Sequence, residues 1–298
     1  MNLLAGISGQ AHLPSERPQS AVSSATLSIS RIDTTMRVLP VSGLHMKIIH
    51  LTIPVLAFVS IFAGQLRAQT NAPAKPTEHQ NTAIIPVSRD ARSLPRQNLV
   101  LQRAKDNPGP CDVVFIGDSI TQGWEGNSPN GGKNVWEKYY ARRKCLNFGV
   151  GGDRTQHVLW RFEHGQLDGL KPKAAVLMIG TNNSNKDDNS EADILEGVTA
   201  IVKQIRIRLP ETKLLVLGIF PRGKTFSTQR GKNLQVNQAL EKLADNKMIF
   251  YVDIGSQMIE ADGSISTDMM RDALHPGEKG YEIWAAAIEP KLKEWLGN

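Results

Sequence analysis

"VVFIGDSITQGW", Val113–Trp124, runs four apolar residues straight into Gly117-Asp118-Ser119. A short apolar, β-branched run that stops on glycine reads as a strand buried on both faces. The hydroxyls just beyond that glycine decide the chemistry. Ser119 or Thr121 can simply cap the next helix, the commoner use of a hydroxyl after a strand. Alternatively, Ser119 is presented at the strand's end as a nucleophile, which then requires a base, an orienting acid and donors for an oxyanion.

Four further apolar runs share this character: Leu146–Phe148, Ala174–Ile179, Lys213–Ile219 and Met248–Ile254, with the first strand spanning Asp112–Ile116. Amphipathic stretches separate them. Glu191–Leu209 carries Ile194, Val198, Ile201, Val202 and Ile205 on one face, Asn233–Ala244 is similar, and Glu278–Leu296 closes the chain. Strands alternating with helices predict a three-layer α/β/α domain with a five-stranded parallel sheet. Right-handed crossovers put every strand-to-helix loop at one edge, where such sheets bind ligands.

The loops at that edge hold the parts acyl transfer needs. "NFGVGGDRT" follows the second strand, and the flexible Gly152 can expose a backbone N–H. "IGTNNSN" follows the third and supplies the amide of Asn182. "RDALHPG" precedes the last helix, and one tight turn can set the Asp272 carboxylate against Nδ1 of His275, leaving Nε2 for Ser119. Gly152, Asn182 and the Ser119 N–H are the expected oxyanion donors. Each feature also has an uneventful use: glycine clusters make turns, and Asn182 and Asp272 are turn formers.

"FIGDS", "NFGVGGDRTQHVLWR", "VLMIGTNN" and "DALH" together resemble the four blocks of the SGNH, or GDSL, hydrolase superfamily. "KPKAAVLMIGTNN" and "VLGIFPRG" are more narrowly similar to the catalytic subunits of platelet-activating factor acetylhydrolase, over roughly Val100 to Trp295. The resemblance implies a flavodoxin-like strand order 2-1-3-4-5 and ester hydrolysis with neither metal nor cofactor. It matches Ser119 to the nucleophile, Asp272 and His275 to the acid–base pair, and Gly152 and Asn182 to the oxyanion hole. Ile120 departs from the leucine of the family name, and Asn183 stands where many members have aspartate. Residues 125–134, "EGNSPNGGKN", look longer than the loop of those subunits and are expected to line the mouth, so the substrate is not carried over.

Three rival functions compete with this one. "GIFPRGKT", Gly218–Thr225, fits the phosphate-loop spacing, but Pro221 has no N–H to offer, and Gln229–Lys232 is expected to interrupt the adjoining helix. Asp118, Asp153, Asp272 and His275 suggest a metal-dependent phosphoesterase, although such sites enlist more histidines at strand ends. A non-catalytic carbohydrate-binding module would have no need of the assembled parts.

The chain has 298 residues, 40% hydrophobic and 21% charged, with a formal charge of +6. Residues 1–68 hold five basic and two acidic residues, leaving 30 against 27 in the remainder, with no basic run, which argues against a nucleic-acid partner. Residues 46–68, "MKIIHLTIPVLAFVSIFAGQLRA", read as a secretory signal starting at Met46 with cleavage near Ala68, and as an uncleaved membrane anchor in the minority alternative. A secreted or periplasmic location is the corresponding expectation. The Ser-rich residues 1–45 are expected to be a disordered or mis-assigned extension, residues 69–88 a linker, and residues 89–298 the hydrolase domain. The two cysteines, Cys111 and Cys145, are equally consistent with a disulfide and with two buried thiols. Trp124, Trp136 and Trp160 suit either the core or the mouth, and a homodimer is left open.

Overall fold

The computed structural model describes residues 79–297 except Asp187. The expectations for residues 1–45, for the signal at 46–68 and for the linker's first part, 69–78, lie outside the described residues. Five strands, β1 (Gly109–Gly117), β2 (Cys145–Gly149), β3 (Leu170–Met178), β4 (Lys213–Leu217) and β5 (Ile249–Val252), form one sheet in order β2-β1-β3-β4-β5, all neighbours parallel. Register aligns the carboxyl ends: Gly117 faces Gly149 on one side and Met178 on the other.

Alternation along β1 explains the three layers. Val114 and Ile116 point into one core, beside α4 (Thr155–Glu163), α5 (Glu191–Arg208) and α6 (Thr228–Leu240). Val113 and Phe115 point into the other, beside α3 (Lys133–Tyr140) and α7 (Glu278–Leu296). A strand buried on both faces must be apolar at every position, as "VVFI" is. The first helix, α1 (Leu94–Lys105), adds Val100 and Ala104 to the first core. Trp124 is buried in the second core, its ring 5.0 Å from that of Trp284, and Trp136 packs, partly buried, against the same core. Trp160 stacks on His164 at 3.6 Å.

Helix boundaries follow the caps. Ser190 Oγ accepts from Asp193 N–H at 3.1 Å while Asp193 Oδ2 accepts from Ser190 N–H at 2.9 Å, a reciprocal cap that starts α5 where expected. Two expectations need correction. Residues 229–232 do not interrupt a helix: Ser227 Oγ accepts from Arg230 N–H at 3.1 Å, and α6 runs from Thr228 through Gly231. Glycine inside a helix costs about 1 kcal/mol, which the burial of Val236 and Leu240 outweighs. Residues 79–88 are not a free linker. Ala83 is fully buried, its carbonyl accepts from Thr155 Oγ1 at 2.7 Å, and His79 Nε2 lies 2.8 Å from Asp193 Oδ1.

Both cysteines are free thiols, and burial pushes Cys111 up to about 11 and Cys145 up to about 12. Among the described residues one ionic pair sits wholly inside: Arg161 Nη1 donates to Asp153 Oδ2, and neither side chain is exposed. Burial raises the Asp153 pKa to about 6 against the opposing pull of Arg161 and Arg89. Removing the guanidinium leaves a buried carboxyl without its main partner, so Arg161→Met should cost about 3–5 kcal/mol in urea denaturation. The fold then favours the protonated carboxyl more strongly, while the unfolded chain still releases its proton near the ordinary value. The penalty should therefore grow as pH rises, larger at about pH 8 than at about pH 5.

Candidate active site

The turn after β1 answers whether Ser119 is a cap. Asp118 is the cap: its Oδ1 accepts from Ile120 N–H at 2.9 Å and opens the four-residue helix α2 (Ser119–Gln122). Ser119 is left as the first helical residue with its hydroxyl free for another partner. The turn is tight enough to need Gly117, because a Cβ there would meet Met178 O at 2.3 Å and Thr121 Oγ1 at 2.2 Å. Tyr281 of α7 fixes the turn from below, its hydroxyl donating to Ile120 O at 2.7 Å. Asp118 is fully buried, and that burial raises its pKa to about 7, opposed by the Ile120 hydrogen bond and by Arg222 and aided by Asp153.

Ser119 Oγ lies 2.8 Å from His275 Nε2, and His275 Nδ1 lies 2.7 Å from Asp272 Oδ2. The other Asp272 oxygen accepts from the N–H groups of Leu274 (3.1 Å) and His275 (2.8 Å). One turn thus fixes both ends of the pair. It requires Ala273 at φ +56°, in the left-handed region that costs an alanine about 1 kcal/mol. Gly223 N–H holds the turn by donating to Ala273 O at 2.8 Å. Burial pushes the Asp272 carboxyl up, but the hydrogen bonds from the His275 ring and backbone outweigh it and keep Asp272 below the usual carboxylate range. An ionised Asp272 is what holds the Nδ1–H tautomer and leaves Nε2 as a base towards Ser119.

The loops on either side of β1 bring the other expected residues. Gly152 takes φ +73°, and its carbonyl accepts from Arg89 Nη1 at 3.0 Å while Gly151 O accepts from Nη2 at 3.2 Å. With both carbonyls held outward by Arg89, no acceptor among the described residues takes the Gly152 N–H. Asn182 Nδ2 donates to Asp153 O at 2.9 Å, which docks the loop after β3 against the glycine loop and leaves the second amide hydrogen unspent. Asn183 is buried and its Oδ1 accepts from Thr155 N–H at 3.0 Å, tying that same loop to the start of α4.

Nothing in the sequence marks Arg89 or Tyr281, and Arg222 stands out there only as part of the rival phosphate-loop motif. Arg222 Nη1 donates to Thr181 O at 2.9 Å and Asn185 Oδ1 at 3.1 Å, bracing the loop that carries Asn182. A cleft of about 630 Å³ opens beside the Asp272–His275 turn, lined by Pro129, Asn130, Arg271, Asp272, His275 and Lys279. Of residues 125–134, Pro129 and Asn130 thus line a cleft that Asp272 and His275 share, pinned there by Glu278 N–H donating to Pro129 O at 3.0 Å.

The phosphate-loop spacing does not make a phosphate loop. Gly218 N–H donates to Val252 O, Ile219 N–H to Asn237 Oδ1 and Gly223 N–H to Ala273 O, so three amides of the motif, both of its glycines among them, are spent inside the protein, and Pro221 has none to give. The carboxylates of the metal-site alternative are engaged separately: Asp118 in a cap, Asp153 with Arg161, and Asp272 with His275.

The chain is 37% identical over 210 residues to platelet-activating factor acetylhydrolase IB subunit alpha2 of Rattus norvegicus, covering 67% of this chain and 86% of that protein. It is 34% identical over 234 residues to subunit alpha1 of Homo sapiens, covering 78% and 94%. Its fold is similar to that of a GDSL-like lipase from Bacteroides thetaiotaomicron, with a TM-score of 0.52 at 20% identity over 68% of this chain and 96% of the other. Residues 115–283 match the model of the GDSL-like Lipase/Acylhydrolase family. The chain belongs to that family, and is a carboxylic ester hydrolase of the GDSL, or SGNH, type.

Proposed function

We propose that the protein is an exported serine esterase that removes short acyl groups, acetyl foremost, through Ser119, His275 and Asp272. The observation that carries this is the unbroken series Ser119 Oγ–His275 Nε2–His275 Nδ1–Asp272 Oδ2, at 2.8 and 2.7 Å. Ser119 Oγ attacks the ester carbonyl as His275 Nε2 takes its proton. Asp272 stabilises the imidazolium without itself being protonated. The oxyanion is met by the N–H groups of Ser119 and Gly152 and by the free amide hydrogen of Asn182. His275 returns the proton to the leaving alcohol, and a water activated by the same histidine then releases the acid.

Acetyl transfer is supported by the acetylhydrolase names of the relatives. Export is supported by the signal pattern at residues 46–68, with translation starting at Met46. N-terminal sequencing of the secreted protein should find its first residue near position 69, and a mature end within residues 1–45 would refute that start. Among the described residues no helix is long and apolar enough to cross a membrane. Hydrolysis of p-nitrophenyl esters of increasing chain length tests the acyl preference: kcat/KM should be highest for acetate, and a rise towards long chains would overturn it.

Removing one oxyanion donor typically costs 10²–10³-fold in kcat. Asn182→Ala should accordingly lose about 10²-fold in kcat with little change in KM. A histidine base works only when neutral, so activity should fall on the acid side, and chelators should leave it unchanged.

A further inference from the structure

A second pocket, of about 270 Å³, lies at the carboxyl ends of β4 and β5, behind the 221–223 segment that braces the catalytic turn. Ile219, Pro221, Leu234 and Ile259 give it apolar walls, and Asn233 and Asp253 give it polar ones. Two asparagines one turn apart on α6 make a telling contrast. Asn237 is fully used: its Oδ1 accepts from Ile219 N–H at 2.7 Å, and its Nδ2 donates to Ile219 O and Asp253 Oδ2, each at 3.0 Å. Asn233 is only 1% exposed, lines the pocket, and has no protein partner for either Nδ2 or Oδ1. Buried amides are normally paired, and an unpaired one at a pocket wall calls for a ligand that both donates and accepts.

The surrounding charges narrow the choice. Arg230 reaches the pocket, but three of its five N–H donors go to backbone carbonyls: Nε to Arg222 (3.0 Å), Nη1 to Gly263 (2.5 Å) and Nη2 to Gly223 (2.5 Å). The Asp253 carboxylate in the same wall repels an anion and can accept hydrogen bonds from hydroxyls. An adjoining recess of about 400 Å³ shares Leu234, Asn237 and Asp253 and adds Gln238, Tyr251 and a second carboxylate, Glu241. Amide, carboxylate, apolar wall and aromatic ring in succession suit hydroxyl groups set on a C–H-rich ring. The volume falls just below the roughly 300–1,000 Å³ of drug-sized sites.

We propose that this groove is a binding site for a neutral carbohydrate, one ring in the Asn233 pocket and the next against Tyr251, distinct from the Ser119 site. No ester is required, so its success or failure is separate from that of the triad.

Saturation-transfer NMR with xylobiose and cellobiose as probes, and glucuronate as the anionic control, tests it. Both disaccharides should saturate in the millimolar range, equally for the wild-type protein and for Ser119→Ala, while glucuronate binds at least about tenfold more weakly. Asn233→Leu should weaken disaccharide binding by at least about tenfold. Leu234→Arg should do the same, and because Leu234 is 58% exposed that change obstructs the groove without disturbing the core. No saturation up to about 50 mM, unchanged affinity in Leu234→Arg, or tighter binding of glucuronate would each overturn the assignment.

Discussion

Ser119→Ala should lower kcat for p-nitrophenyl acetate by about 10⁴–10⁶-fold, to the residual rate that oxyanion donors and binding alone sustain. The size of the loss reflects the step removed: without an attacking oxygen no acyl-enzyme forms, and water must attack directly. The substitution should leave the fold intact. Among the described residues the Ser119 hydroxyl bonds only to His275, while the helix it opens is capped by Asp118 and held by Tyr281. Urea midpoints of the two proteins should therefore agree to within about 1 kcal/mol of stability, the range of substitutions that break no buried network. A kcat drop accompanied by unfolding would mean that Ser119 is structural.

Asp272→Asn should cost about 10⁴-fold in kcat with almost no change in shape. An asparagine keeps an oxygen for the N–H groups of Leu274 and His275, which now bond Oδ1 at 3.1 and 2.8 Å. It replaces the oxygen facing His275 Nδ1 with an amide that donates. The ring then turns its lone pair towards position 272 and its N–H towards Ser119, the wrong tautomer for a base. Because the three side chains act as one unit, the Ser119→Ala/Asp272→Asn double variant should be scarcely slower than Ser119→Ala alone. Additive losses would show that the two residues work independently.

Much of this site was legible in the sequence because its parts stand at strand ends, and strand ends are marked by abrupt changes of composition. Gly117-Asp118-Ser119, Gly149 to Asp153 and Gly180 to Asn183 all come directly after apolar runs, and parallel topology brings them to one edge. The Asp272–His275 pair was legible because three residues make a single turn. The bonds that pin these loops were not. Arg89 reaches Gly151 and Gly152 across more than sixty positions, and Tyr281 reaches Ile120 across 161. No periodicity encodes such pairings. For the same reason residues 79–88 looked like a linker: Pro, Ala, Thr and Asn suggest a loop, while the contacts that order it come from Thr155 and Asp193, far along the chain. In α6 the misreading was local. Gly231 argues against a helix by propensity, but the Ser227 cap and the buried Val236 and Leu240 override it.

Covalent labelling tests the central claim most directly. A fluorophosphonate reacts only with a serine whose hydroxyl is activated by a base and whose developing charge is stabilised. Intact-mass and peptide mapping of the labelled protein should find one adduct, on the peptide carrying Ser119, coincident with loss of esterase activity and absent in His275→Ala. Full activity in protein stoichiometrically labelled at Ser119, or an inactivating adduct on another residue, would contradict the assignment of Ser119 as the nucleophile.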